Sequence, residues 1–379
     1  MKTGIITITG EMNYGNSFQN YAVIKVLENL GVSAETVKTE YSLPEFLKQK
    51  KLGIFESKNY LRFYGRIIIK QKIFVNYLIR LLKFKLYGYR HLNLSKKRNS
   101  EINPVNLENY DALVFGSDQI WNFTWGGRIC NGIDFFTGGF APDVKKIAYS
   151  ASIGTDYIPE EYIEKVQKNL NNFSTISVRE DKGKEILDPL LEKPVCVTVD
   201  PTLMLDKNEW QKIARKPHFF SKNKKFILTY FLGEYSDELI EYINKISEKL
   251  DCDIIDLCSE WSYSYKREKK RYFSFSPEEF LWLIDNCQIM FTDSFHGSVF
   301  SIIMEKPFRC FKRHQNGVAN MSSRMDTLFN TFKINDWCVG DINESIDNIL
   351  FKDYSNVQSI LTEKREFAYD YLKGALDIK

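Results

Sequence analysis

The chain has seven cysteines, scattered and odd in number, and nowhere do two of them stand in a C-x-x-C pair. That spacing speaks against a disulfide framework and against a cysteine-rich zinc site. Free thiols buried as small hydrophobes in a reducing compartment fit instead, which places the chain in the cytoplasm. Also missing is any run of about 18 uncharged apolar residues, so no segment reads as a bilayer span. The N-terminal stretch MKTGIITITGEMNYG carries the lysine of a signal peptide but not its body. Its apolar run is short, is broken by Thr3, Thr7 and Thr9, and meets Glu11, so it reads as a first strand. There is no P-loop, no G-x-G-x-x-G and no G-x-S-x-G, which removes the common glycine-rich phosphate cradles and the nucleophile elbow. Asp251-Cys252-Asp253 is a lone D-x-D at a strand start, and no metal site is expected from it. Repeats and low-complexity segments are absent.

What is present suits packed cores. The 379 residues are 44% hydrophobic and 15% aromatic, a length that fits two domains of about 150 to 200 residues. The net charge of +3 hides an asymmetry: Lys48 to Arg98 holds fifteen Lys or Arg against one acid, Glu56, a local +14 that leaves −11 on the remainder. Within that segment Tyr60, Leu61, Tyr64, Ile67, Ile68, Phe74, Tyr77, Leu78, Leu81 and Leu82 recur at three and four, with basic residues between them. The spacing predicts one or two basic amphipathic helices, inserted at about 45–100. A solvated charged face, nucleic acid and an anionic membrane surface are its three readings. Interleaved aromatics favour the membrane, and no recognised nucleic-acid motif accompanies the charge.

Elsewhere the chain alternates strand and helix. Gly4–Thr9 reads as a strand, Asn13-Tyr14-Gly15-Asn16 as a turn, Phe18–Leu30 as a helix and Ala34–Val37 as the next strand. Strands follow at 112–115, 146–150, 175–178 and 195–199, each ending in polar residues. A polar, basic stretch at about 205–225 reads as a domain boundary. Beyond it come strands at 226–231, 254–257, 288–292 and 307–311, a helix from the capping box Ser276-Pro277-Glu278-Glu279, and a final helix at about 356–376. The expectation is an N-terminal α/β domain over 1–205, a C-terminal α/β domain over 206–350, and a last helix over 351–379 that crosses back. Parallel sheets of this kind place their working loops at strand C-termini.

Five strand-end or helix-start groups carry candidate chemistry. Asp293-Ser294-Phe295-His296-Gly297-Ser298 ends a buried strand and opens a helix, where free N–H groups and the helix dipole suit an anion. Gly297 would let backbone approach that anion, and His296 could hold or deliver a proton. The plain alternative is a histidine that caps the helix. Arg179 follows the strand 175–178 and could grip a phosphate or carboxylate, or pair with Glu180 or Asp181. Arg324 could reach the same anion, or be an ordinary helix-start arginine. Gly116-Ser117-Asp118-Gln119-Ile120-Trp121-Asn122 gathers hydroxyl, carboxylate, amide and an aromatic face, a mixture that suits a sugar, unless Trp121 is core. The loop Asn13, Tyr14, Gly15 and Asn16, with Gln19, offers a similar choice.

Taken in order, NYGNSFQNYA at Asn13, VFGSDQIWN at Val114, IAYSASIG at Ile147, ISVRED at Ile176, VDPTLML at Val199, FTDSFHGSVFSIIMEKPF at Phe291 and SSRMDTLF at Ser322 resemble the polysaccharide pyruvyl transferase family. They span nearly the whole chain, and their specificity is collective. The resemblance implies two doubly wound, Rossmann-like domains facing a cleft, the glycosyltransferase-B-like arrangement. It implies phosphoenolpyruvate as donor with no further cofactor, and a saccharide acceptor carried on a lipid such as undecaprenyl or on a polymer precursor. His296 would be the general acid/base and Arg179 a donor contact, with Ser294, Gly297 and Ser298 around the phosphate. Asn13, Tyr14, Gly15, Asn16, Gln19, Ser117, Asp118 and Trp121 would face the acceptor. Some members have Arg-Leu-His where this chain has Ser294-Phe295-His296, so Arg324, Arg313 or Lys312 would have to supply the missing cation, or the donor differs. With the basic segment 48–98, the reading is a cytoplasmic enzyme on the inner face of the cell membrane. Its rivals are a nucleotide-sugar-dependent glycosyltransferase of the same fold and a non-catalytic scaffold for polysaccharide assembly.

Overall fold

The computed structural model describes residues 1–9, 12–39, 60–99, 109–124, 133–218, 220, 225–233, 236–258, 272, 274–312, 323–339, 346–350 and 352–378. Arg313 lies outside them, as does the segment 45–59 of the expected insertion.

Short strands, the central ones buried on both faces, build two parallel sheets. The first contains β1 (Lys2–Ile6), β2 (Ser33–Thr39), β3 (Leu94–Asn99), β4 (Ala112–Phe115), β5 (Lys145–Ala151), β6 (Thr175–Val178) and β7 (Val195–Val197) in the order β3-β2-β1-β4-β5-β6-β7. Every neighbouring pair is parallel. The second contains β8 (Phe226–Phe231), β9 (Asp253–Cys258), β10 (Ile289–Thr292), β11 (Phe308–Phe311) and β12 (Cys338–Val339) in the order β12-β11-β10-β8-β9, again parallel throughout. Each order reverses once, between β1 and β4 in the first sheet and between β10 and β8 in the second. A crevice opens at the strand C-termini where the order reverses.

Polar side chains bind both crevices. Gln19 donates from Nε2 to Thr7 Oγ1 at 2.7 Å, and its Oε1 accepts the Ser117 N–H at 3.0 Å. The Gln19 amide thus ties the loop after β1 to the loop after β4. In the second sheet Asp293 accepts the N–H groups of Leu232 at 2.6 Å and Gly233 at 2.9 Å.

Helix boundaries move where caps decide them. The first helix, α1, runs Tyr14–Asn29, four residues earlier than apolar spacing predicts, because the Asn13 side chain accepts from Gly15 and Asn16 N–H. The stretch read as a polar boundary contains a helix, Lys207–Ile213, closed by an Asp206–Glu209 capping box and anchored by fully buried Trp210. Its other residues mostly face outward, so periodicity alone did not show it. Strand β3 lies inside the basic segment, where Lys96, Lys97 and Arg98 masked its strand character.

The two sheets share one apolar seam. Phe18 of α1 packs edge-on to Phe300 at 4.7 Å and to Trp210 at 5.6 Å, and Tyr14 stacks on Phe280 at 4.3 Å. A single buried cluster contains residues from both sheets. The last helix, Ser355–Ala375, places Arg365 on the carbonyls of Leu203 and Leu205 at 2.6 and 2.9 Å, and Tyr371 on that of Ala148 at 2.6 Å. Apolar seams of this kind oppose free hinge motion.

Candidate active site

Three loops and one helix start converge above the seam. Arg179 stands at the C-terminal end of β6, Asp200 follows β7, and Ser117 and Asp118 follow β4. His296 sits in the first turn of the helix Phe295–Ile303, which rises from β10. Ser294 caps that helix by accepting the Gly297 N–H at 3.3 Å.

Arg179 is 4% exposed and donates from Nη1 to Asp200 Oδ2 at 2.6 Å. Its Nη2 lies 3.7 Å from Asp118 Oδ1 and its Nε 3.9 Å from Glu180 Oε2. Neither of those nitrogens has a hydrogen-bond partner among the described residues. His296, 8% exposed, brings Nε2 to 3.7 Å from the same Asp200 Oδ2, an ion-pair distance beyond hydrogen-bond reach. Imidazole and guanidinium therefore meet at one carboxylate oxygen. The other oxygen of Asp200 accepts the Thr202 N–H at 3.0 Å and its hydroxyl at 2.6 Å, which fixes the carboxylate plane. Ser117 Oγ approaches Asp200 Oδ2 at 3.4 Å.

Electrostatics follow from this packing. Burial alone would raise the Asp200 pKa, but His296, Arg179 and the Thr202 hydroxyl outweigh it and hold the carboxyl far below the usual range. Burial likewise works against the Arg179 charge, while Asp200, Asp118 and Glu180 more than restore it. Glu180, fully buried, accepts from Ser152 Oγ at 3.0 Å and from the N–H groups of Ile153 and Gly154 at 2.7 and 2.8 Å. It holds the loop after β5.

Phe295 supplies a ring on which cations gather. The Arg179 guanidinium lies 4.5 Å from its centroid and that of Arg324 lies 5.9 Å away. Arg324 stands near the start of the helix Ser323–Phe332, whose Thr327 accepts the Asp181 N–H at 3.0 Å. Gly15 makes the remaining wall. A Cβ there would fall 2.1 Å from His296 Nδ1, so the imidazole rests directly on α1 backbone.

Other expected site residues serve the fold instead. Trp121 is fully buried and donates its indole N–H to the Phe136 carbonyl at 2.8 Å, so no stacking face is offered to a sugar. Tyr14 is buried in the seam, with its hydroxyl on the Phe275 carbonyl at 3.1 Å. Asn13 is a helix cap, and Asn16 is buried with its carbonyl accepting from Gln19 at 3.2 Å. Gly297 does not open backbone to a ligand: a Cβ there would strike Thr292 Oγ1 at 2.6 Å, so the glycine lets its helix close on β10. Ser298 returns its hydroxyl to the Ser294 carbonyl at 3.3 Å, and Lys312 is exposed after β11. Asp200 and Phe295 were not singled out from sequence. Asp200 had a signal, an acid between the strand read at 195–199 and Pro201.

No cluster of three or more His, Cys, Asp or Glu arranged to hold a metal ion occurs among the described residues. Nor is any helix among them long and apolar enough to cross a membrane.

Two parallel, doubly wound α/β units with a polar site above their seam define a two-domain, glycosyltransferase-B-like protein. Solved structures are similar to the chain at low identity. S. aureus MnaA with UDP is 12% identical with a TM-score of 0.47, covering 100% of this chain and 97% of its own. UDP-GlcNAc 2-epimerase from Neisseria meningitidis bound to UDP-GlcNAc is 13% identical, TM-score 0.44, covering 100% and 95%. Acinetobacter baumannii MurG is 10% identical, TM-score 0.38, covering 98% and 95%. No curated protein matches the chain. Residues 13–315 match the family described as polysaccharide pyruvyl transferase, and the chain belongs to that family. It is therefore a transferase of the polysaccharide-modifying kind.

Proposed function

We propose that the protein transfers a pyruvyl group from phosphoenolpyruvate to two hydroxyls of a saccharide and forms a cyclic ketal. One observation carries the reading: His296 and Arg179 converge on Asp200, and Arg179 keeps two buried nitrogens without a hydrogen-bond partner among the described residues. Buried donors of this kind are satisfied by water or by a bound acceptor, and two parallel N–H groups fit a carboxylate or phosphate.

In this mechanism a proton adds to C3 of the enol, and positive charge develops at C2. One sugar hydroxyl forms the O–C2 bond and loses its proton. The C2–O bond to phosphate breaks, and a neighbouring hydroxyl bonds to C2 and closes the ring, its proton leaving with inorganic phosphate. His296 handles the proton at C3. Arg179 and Arg324, gathered at the Phe295 ring, hold the donor's anionic ends, and Arg324 stands in for the cation absent at Ser294. Asp200 orients Arg179 and faces the imidazole. Ser117 and Asp118, on the neighbouring loop, face the acceptor. Preorganised charge aimed at a leaving dianion is the largest lever available to such a site.

Donor binding tests this reading first. Phosphoenolpyruvate should raise the melting temperature of wild type, and Arg179→Gln should abolish the rise. Stabilisation by a nucleoside diphosphate, with none by phosphoenolpyruvate, would contradict it.

A further inference from the structure

The helix α2 (Tyr60–His91), the next among the described residues after α1, is 32 residues long and carries eight Lys or Arg and no acid. One face is committed to the protein. Arg80, 1% exposed, donates to the Met12 carbonyl at 2.7 Å and to the Tyr14 hydroxyl at 3.2 Å. Lys83 pairs with Glu279 at 2.6 Å, Arg90 and His91 each approach Glu278 at 3.4 Å, and Phe84 and Tyr87 are buried. The opposite face is apolar and uncovered: Val75 is 51% exposed, Leu78 38%, Ile79 37%, Leu82 59%, Leu86 47% and Tyr89 88%. These positions recur at three and four and make a stripe about 21 Å long. Exposed Lys85 stands at one side of the stripe and half-exposed Arg90 at the other. In sequence the same spacing continues upstream through Tyr60, Leu61, Tyr64, Ile67 and Ile68.

A helix that buries charged and aromatic residues inward and shows aliphatic residues outward inverts the usual surface pattern. Isolated exposed apolar residues need no explanation, but a continuous stripe marks a contact. The occupant must accept aliphatic side chains and dense positive charge at once. The local +14 makes a second copy of the same surface repulsive, and a nucleic acid offers no apolar phase for leucines. An anionic bilayer meets both demands: acyl chains take the stripe and headgroup phosphates take the basic flanks.

We propose that α2 lies in the headgroup plane of an anionic membrane, with the Val75–Tyr89 stripe inserted. The placement has a consequence for the site. Arg80, on the underside of α2, holds Met12 and Tyr14, and Gly15 beside them supports His296. The docked face therefore lies about one helix diameter, ~10 Å, from the Met12–Gly15 segment on which the imidazole rests. An acceptor anchored in the same bilayer would be presented next to it.

Flotation of the full chain with vesicles decides the matter, using equal parts phosphatidylglycerol and phosphatidylcholine. Wild type should float with these vesicles at physiological salt and be largely released at high salt, where the screening length falls to about 3 Å. It should not float with phosphatidylcholine alone. Leu82→Asp with Leu86→Asp should reduce binding about tenfold or more, and Lys85→Glu with Tyr89→Ser should do so independently. All four positions are exposed, so melting temperature should stay at the wild-type value. Salt-insensitive flotation with neutral lipid would overturn the proposal. So would undiminished flotation of both folded variants. A sedimentation dimer that Leu82→Asp splits would reassign the stripe to a second copy, and competition by RNA that strips the protein from vesicles would reassign the charge.

Discussion

His296 can hold its place only because residue 15 carries no side chain. Gly15→Ala would put a methyl into the imidazole, and a displacement of about 1 Å costs on the order of 10² in rate. A fall in kcat with little change in melting temperature would confirm that reading. His296→Ala, folded, should lose about 10² to 10⁴ in rate; a rate within threefold of wild type would remove the imidazole from the chemistry. Asp200 has a different signature, because it neutralises Arg179 as well as facing His296. Asp200→Asn leaves a buried guanidinium short of its nearest partner, and the loss is about 3–5 kcal/mol, read by denaturant unfolding at neutral pH. The sign with pH is set by the depressed carboxyl. Its contribution is complete above the ordinary Asp value of about 3.9 and is lost as pH falls toward the depressed folded value. Wild type should therefore lose stability on acidification more steeply than Asp200→Asn.

At the level of elements, the seam is where stability concentrates. Trp210 is fully buried between α1 and the helix Phe295–Ile303, and it donates to the Thr202 carbonyl at 3.1 Å. Trp210→Ala should cost about 3–5 kcal/mol, measured by urea unfolding. The same change should weaken donor binding, since Thr202 fixes Asp200. The elements differ in how far sequence revealed them. Strands 112–115, 175–178 and 226–231 were readable to the residue, because each is a short, largely buried run of apolar residues with at most a Ser or Thr among them, bounded by polar turns. The Ser276 capping box announced its helix equally well. Side-chain caps and tertiary burial were not readable by periodicity: Asn13 starts its helix among polar residues, and one tryptophan holds Lys207–Ile213. The site divides the same way. Arg179 and His296 stood out as charged or titratable groups at strand ends. Gly297 and Trp121 stood out equally and turned out to be packing, because a strand-end position does not reveal which way a residue faces.

Across the whole molecule, two parallel sheets bring the ends of β4, β6, β7 and β10 to one place, and only long-range topology could show that Asp200 joins them. The fused seam implies that the site is largely preformed. Ketal formation from phosphoenolpyruvate changes the mass of the sugar and frees phosphate, and mass spectrometry reads the first of these. A panel of lipid-linked saccharides would be incubated with enzyme and phosphoenolpyruvate, and both sugar mass and free phosphate followed. One saccharide should gain a single pyruvylidene group, with one phosphate released per group added. Unchanged masses across the panel, together with elongation of an acceptor by a nucleotide sugar, would contradict it.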